Sequence, residues 1–203
     1  MSGPVLIGVT GGIGAGKSTV VQAFVHRGAV PFSADTAVHE LYSDPDVIAQ
    51  VRERWGDSVI DASGIVDRAA IAQIVFRDEV ERRWLEGLLH PMVGRRWLAF
   101  VDEQRALAQP PKFVVAEVPL LFEAGLEDRY DAIVTITAPL KMRIERARAR
   151  DDGKSMSTRR AAAQMDEAEK AERADFTYAN TGSFDDLDSF AGDVLDALRV
   201  PAS

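Results

Sequence analysis

The chain has 203 residues and a net charge of −8, from 24 basic and 32 acidic side chains, with 46% hydrophobic residues and no cysteine. That balance describes an ordinary globular protein with enough apolar mass for a core, and it excludes disulfides and thiol chemistry. No apolar run nears the roughly 20 residues of a membrane helix, Met1-Ser2-Gly3-Pro4 lacks the basic region of a signal peptide, and an acidic chain is a poor general binder of nucleic acid. A cytoplasmic location is expected, and the oligomeric state stays open.

Val5 to Val9 is a short apolar, β-branched run that reads as a buried strand. It leads into glycines at Gly11 to Gly16 and then a helix from about Lys17 to Val25. Ala29 to Phe32 suggests a second strand. From about Pro45 to Leu107 the pattern is almost wholly helical, punctuated by Gly56, Gly64 and Pro91, and Trp84, Leu85, Leu88 and Leu89 form a core-facing stripe. Phe113 to Ala116 and Ala132 to Ile136 read as strands. Helices are expected at about Leu140 to Arg150, Ser157 to Arg173 and Leu187 to Leu198, with a final strand at Phe176 to Ala179. Strands separated by helices imply parallel βαβ units, so the fold class is α/β with an open parallel sheet. The early helical block is too long for one crossover and reads as an inserted lobe of a single domain spanning 1–203.

Gly11-Gly12-Ile13-Gly14-Ala15-Gly16-Lys17-Ser18 fits G-x-x-x-x-G-K-[ST] in full, after a strand and at the start of a helix. Such a loop turns its amides toward phosphate oxygens and sets the helix N-terminus on the same anion. Lys17 is the residue type that reaches the β- and γ-phosphates, and the Ser18 hydroxyl coordinates Mg²⁺. The loop names a nucleotide, not a reaction. A GTPase would normally add N-K-x-D, which does not occur here, and Asp61-Ala62-Ser63-Gly64 reads as a turn inside the helical block.

Phosphorylating a hydroxyl needs a carboxylate to orient the nucleophile and take its proton. Asp35, after the second strand, is either that acid or the cap of the next helix, and position alone leaves both open. Glu117, closing a strand, is either a ligand of a Mg²⁺-bound water or a surface acid. Residues 143 to 160 carry seven basic side chains against three acidic ones, and Arg143, Arg146 and Arg150 share one helical face. They suit the transferring phosphoryl group if delivered by a lid hinged at Asp152-Gly153, or they line a solvated helix with Glu145 and Asp151. His90-Pro91 has a plain reading as a proline that starts a new helix.

Several patches in order resemble the dephospho-CoA kinase family: Gly8-Val9-Thr10-Gly11-Gly12-Ile13-Gly14-Ala15-Gly16-Lys17-Ser18, Ala34-Asp35, Val66-Asp67-Arg68 with Phe76, and His90-Pro91. Val118-Pro119-Leu120-Leu121-Phe122-Glu123, Arg146 with Arg150-Asp151, Gln164, Ala174-Asp175 and Asn180-Thr181-Gly182 continue the series. The resemblance implies a three-layer P-loop kinase fold with a helical acceptor lobe near 38–110 and a lid near 143–165. It implies transfer of phosphate from ATP, with Mg²⁺, to the ribose 3′-hydroxyl of dephospho-CoA.

Carried over, Gly12 to Thr19 hold ATP, with Lys17, Asp35 and Arg146 as the catalytic residues. Arg150 is a second lid arginine on the phosphates, and Asn180 and Gly182 lie near the adenine. Asp35, His90, Pro119, Leu120, Leu121 and Glu123 shape the acceptor side. The chain departs from the family at Ser33, where Asp is usual in Asp-Ala-Asp, and at Glu117, where Asp often precedes Val-Pro-Leu-Leu. A kinase of another small hydroxyl acceptor, or a nucleotide-dependent binding module, are the alternatives.

Overall fold

The computed structural model describes residues 3–150 and 165–199, with side chains at 147–150 outside the described set. Two compact units emerge, one of residues 1–32 with 104–203 and one of residues 33–103.

The first unit holds a five-stranded sheet: β1 (Val5–Gly11), β2 (Val30–Phe32), β3 (Phe113–Glu117), β4 (Ala132–Thr137) and β5 (Phe176–Ala179). The order is β2-β3-β1-β4-β5, with every pairing parallel. Both faces of the middle strands are covered, in keeping with the nearly continuous burial along β1, β3 and β4. On one face Ile7, Val9, Phe113, Val115, Val134 and Ile136 pack under α1 (Lys17–His26) and the last helix, Phe184–Arg199. Val20, Ala23 and Phe24 of α1 meet Leu187, Ala191, Val194 and Leu195 there, both sets at helical spacing. On the other face Ile133 packs with Leu121 and Phe122 of the turn after β3, and with Tyr130, Met165 and Ala174. The result is the three-layer α/β arrangement expected.

The second unit is helical: α2 (Ala34–Leu41), α3 (Pro45–Trp55), α4 (Arg68–Arg77) and α5 (Glu79–Ala106), whose last turn passes into the first unit. Each start is chemically marked. The Ser33 hydroxyl accepts from Thr36 N–H, Asp44 from Asp46 N–H, and Asp67 from Ala69 and Ala70 N–H. Leu41, Val47, Val51, Val59, Val66, Ile71, Leu85 and Leu89 form this unit's own core, with Trp84 and Leu88 half-buried against it. The Asp61–Gly64 pattern is a turn, with Asp61 accepting from Ser63 and Ile65 N–H and Gly64 at φ 84°.

One expectation fails here. Pro91 starts no helix, because α5 runs unbroken through it from Glu79 to Ala106. A mid-helix proline removes one hydrogen bond and crowds the carbonyl four residues earlier. That residue is the exposed Gly87, around which a Cβ would meet nothing within 4 Å, so water can reach the freed carbonyl. Buried Leu85 and Leu89 before the proline, with Trp97 and Val101 after it, carry the helix across.

After β4 come α6 (Leu140–Arg150), α7 (Glu167–Arg173) and α8 (Phe184–Arg199). Of the helix expected at Ser157 to Arg173, residues 157–164 lie outside the described residues; α7 itself starts at Glu167, where the Asp166 side chain accepts from Ala168 N–H.

Candidate active site

β1 is the central strand, and Gly11 to Gly16 turn from its carboxyl end into α1. The N-cap of α1 is Gly16, at φ 102°, with no side-chain cap and no acid in the first turn. An uncapped, acid-free helix start leaves its amides for an outside anion. Gly16 is obligatory twice over: its φ is left-handed, and a Cβ would collide with the Asn180 side chain. Lys17 is buried, its Nζ donating to Gly12 O at 3.2 Å and lying 4.0 Å from Glu117 Oε1. β3 lies beside β1 with Val9 opposite Glu117, and that register brings the acid to the loop. Glu117 is half-buried beside the loop lysine. Ser18 and Thr19 follow on the first turn of α1, both half-exposed.

Arg143 and Arg146 of α6 turn onto this loop. Arg143 Nε donates to Ile13 O at 3.0 Å, and its Nη1 pairs with Glu167 Oε1 at 2.9 Å. Arg146 donates to Ala15 O at 3.5 Å and to Asn180 O at 3.3 Å. Asn180, at the end of β5, is buried, and its Nδ2 donates to Ala15 O at 2.8 Å. Gly16, Thr19, Arg146, Asn180, Gly182 and Phe184 are among the residues around a pocket of about 180 Å³. The structure therefore brings the loop, Arg146, Asn180 and Gly182 together. Arg150 ends α6 with its side chain outside the described set, and Asp152-Gly153, Gln164 and most of the expected lid lie outside the described residues.

Asp35 sits in the first turn of α2, exposed, and makes no hydrogen bond or ion pair among the described residues. The cap of that helix is Ser33, so Asp35 is not the cap. Ser33 does this capping work. His90 is exposed on α5.

The Pro119–Glu123 turn divides its residues. Pro119 and Leu120 are exposed, whereas Leu121 is fully buried. Leu121 packs so closely on β1 that a Cβ at Gly8 would lie 2.7 Å from it. The Glu123 carboxylate is held by Lys170 Nζ at 2.7 Å and by Met165 N–H at 2.9 Å. Burial works to raise its pKa, but the hydrogen bonds from Lys170 and from the Glu123 and Met165 amides, with the Lys170 charge, hold it below the usual carboxylate range.

Glu167 and Lys170 were not singled out by sequence. A lysine in Glu-Ala-Glu-Lys-Ala-Glu-Arg carries every sign of a solvated helix, and only tertiary packing buries it.

A glycine loop, a lysine at the root of an uncapped helix and arginines delivered from the following α6 define a P-loop kinase. Shikimate kinase from Acinetobacter baumannii shares the fold, with a TM-score of 0.50 at 15% identity over 98% of this chain and 96% of that one. The dephospho-CoA kinase family profile matches residues 5–186. A dephospho-CoA kinase of Synechococcus is 41% identical over 195 residues, covering 95% of this chain and 94% of that protein. One of Thermobifida fusca is 33% identical over 95% and 96%. The dephospho-CoA kinase structure from Campylobacter jejuni superposes with a TM-score of 0.68 at 25% identity, over 95% and 96% of the two chains. The chain belongs to the dephospho-CoA kinase family.

Proposed function

We propose that this chain transfers the γ-phosphoryl group of ATP to the ribose 3′-hydroxyl of dephospho-CoA, giving coenzyme A and ADP. The observation that carries the reading is the uncapped start of α1 with Lys17 at its root, in a chain that matches the family over nearly its whole length.

In this reading Gly12 to Thr19 take the phosphates through backbone amides, and Lys17 swings from the Gly12 carbonyl to the β- and γ-oxygens. Arg146, with Arg150 beyond it, neutralises charge that builds on the transferring group. The pocket beside Asn180 and Gly182 receives the adenine. Asp35, a carboxylate with no other partner among the described residues, orients the acceptor hydroxyl and accepts its proton. His90, Pro119 and Leu120, all exposed, contribute to the acceptor side, while buried Leu121 and the Lys170-paired Glu123 act by holding the shape of the turn. The half-exposed Ser18 hydroxyl and Glu117, through a water, would hold a Mg²⁺ ion, which would supply positive charge to offset that of the phosphates. The reaction belongs in the cytoplasm; no described helix is long and apolar enough to cross a membrane.

ADP release measured over a panel of hydroxyl acceptors tests the reading. Turnover is expected with dephospho-CoA. Turnover with a nucleoside or shikimate and none with dephospho-CoA would replace the substrate, and a silent panel with intact ATP binding would point to a binding module.

A further inference from the structure

Lys170 lies on α7, among Glu167, Glu169 and Glu172, and its side chain has no exposed surface. Among the described residues its ammonium makes two polar contacts, both to one short turn: Glu123 Oε1 at 2.7 Å and the Pro119 carbonyl at 3.2 Å. These are the two ends of Pro119-Leu120-Leu121-Phe122-Glu123. The same Pro119 carbonyl accepts from the Thr10 hydroxyl at 3.4 Å, one residue before the glycine loop begins. The same Glu123 oxygen accepts from Met165 N–H at 2.9 Å. Arg173, one turn further along α7, lies 4.6 Å over the Phe122 ring and pairs with Glu127.

Burying an ammonium is costly, and well-packed apolar residues of similar volume commonly replace a buried ion pair without loss of stability. What an apolar pair cannot supply is direction. We propose that Lys170 is a positioning residue for the acceptor side of the site. Its ammonium fixes both ends of the Pro119–Glu123 turn and, through the shared Glu123 oxygen, sets that turn in register with the chain at Met165. The exposed Pro119 and Leu120 are thereby presented to the acceptor in one fixed arrangement. The proposal rests on the reading of that turn as part of the dephospho-CoA site. Lys170 makes no hydrogen bond or ion pair with Gly16, Thr19, Arg146 or Asn180, so nucleotide binding should be separable from its effect.

Steady-state kinetics on the full chain, with ATP and dephospho-CoA varied independently, test this for K170M and for the apolar pair K170M/E123L. Thermal unfolding of each variant is followed alongside. The expected result is a KM for dephospho-CoA raised at least about tenfold, with the KM for ATP within about twofold of the parent chain. The apolar pair is expected to fold and to keep the defect. Should K170M alone fail to fold, because it strands the Glu123 charge, the pair carries the test. Unchanged acceptor KM in a folded variant overturns the proposal, as do equal rises in both KM values or a pair that cannot fold. If the parent chain itself fails to turn over dephospho-CoA, the functional reading falls first.

Discussion

Asn180 donates its side-chain amide to the carbonyl of Ala15 at 2.8 Å, joining the end of β5 to the middle of the glycine loop. Arg146 donates to that same Ala15 carbonyl and to the backbone carbonyl of Asn180, so three segments far apart in sequence meet at one peptide group. The loop is braced from outside by side chains that also line the pocket proposed for adenine. Asn180→Ala leaves a buried carbonyl without its amide donor and loosens one wall of that pocket. We expect the KM for ATP to rise about tenfold with the acceptor KM unchanged, read from initial rates with each substrate varied in turn.

Asp35 and Lys17 should separate by kinetics. Asp35→Asn keeps the shape and removes the proton acceptor, so ATP affinity stays near the parent value while kcat falls about 10²-fold or more. Lys17→Ala removes a cation used by bound nucleotide and by the transferring group alike, so binding and turnover both fall. Equilibrium ATP titration beside kcat for the two variants checks the contrast.

Ser33 caps α2 through Thr36 N–H, and Thr36 also donates its hydroxyl to Ser33 Oγ at 2.9 Å. Ser33→Ala should cost about 1 kcal/mol, seen as a lower urea midpoint, and Ser33→Asp should keep most of the stability because aspartate caps as well as serine.

The Glu123 carboxyl is held below its ordinary range. A group with a depressed folded pKa contributes stability above its unfolded pKa, about 4.3 for glutamate, and that stability is lost as pH falls through the folded value. Comparison with Glu123→Gln gives the sign directly. The advantage of the parent chain should be full near pH 7 and shrink below about pH 4, measured by denaturant unfolding across the acid range.

Much of this was legible in the sequence because the signals are local. Val5 to Val9 and Ala132 to Ile136 are β-branched runs of strand length, and the eight-residue loop motif carries its own chemistry. The cap at Ser33 was also readable, since its hydroxyl stands three residues before the Thr36 amide whose hydrogen bond it accepts. Pro91 misled because a proline is a local stop signal, whereas exposed Gly87 and the buried residues on either side let the helix pass. Lys170 with Glu123, and Asn180 with Ala15, were invisible for a different reason. Their partners lie 47 and 165 positions away, and nothing in helix or strand periodicity encodes a pairing over such distances.

The most direct measurement is phosphorus NMR of the product formed from ATP and dephospho-CoA. A new phosphomonoester resonance coupled to the ribose 3′ position, with ADP in equal amount, is the predicted result. A phosphate on any other hydroxyl, or ADP formed at the same rate without dephospho-CoA, would contradict it.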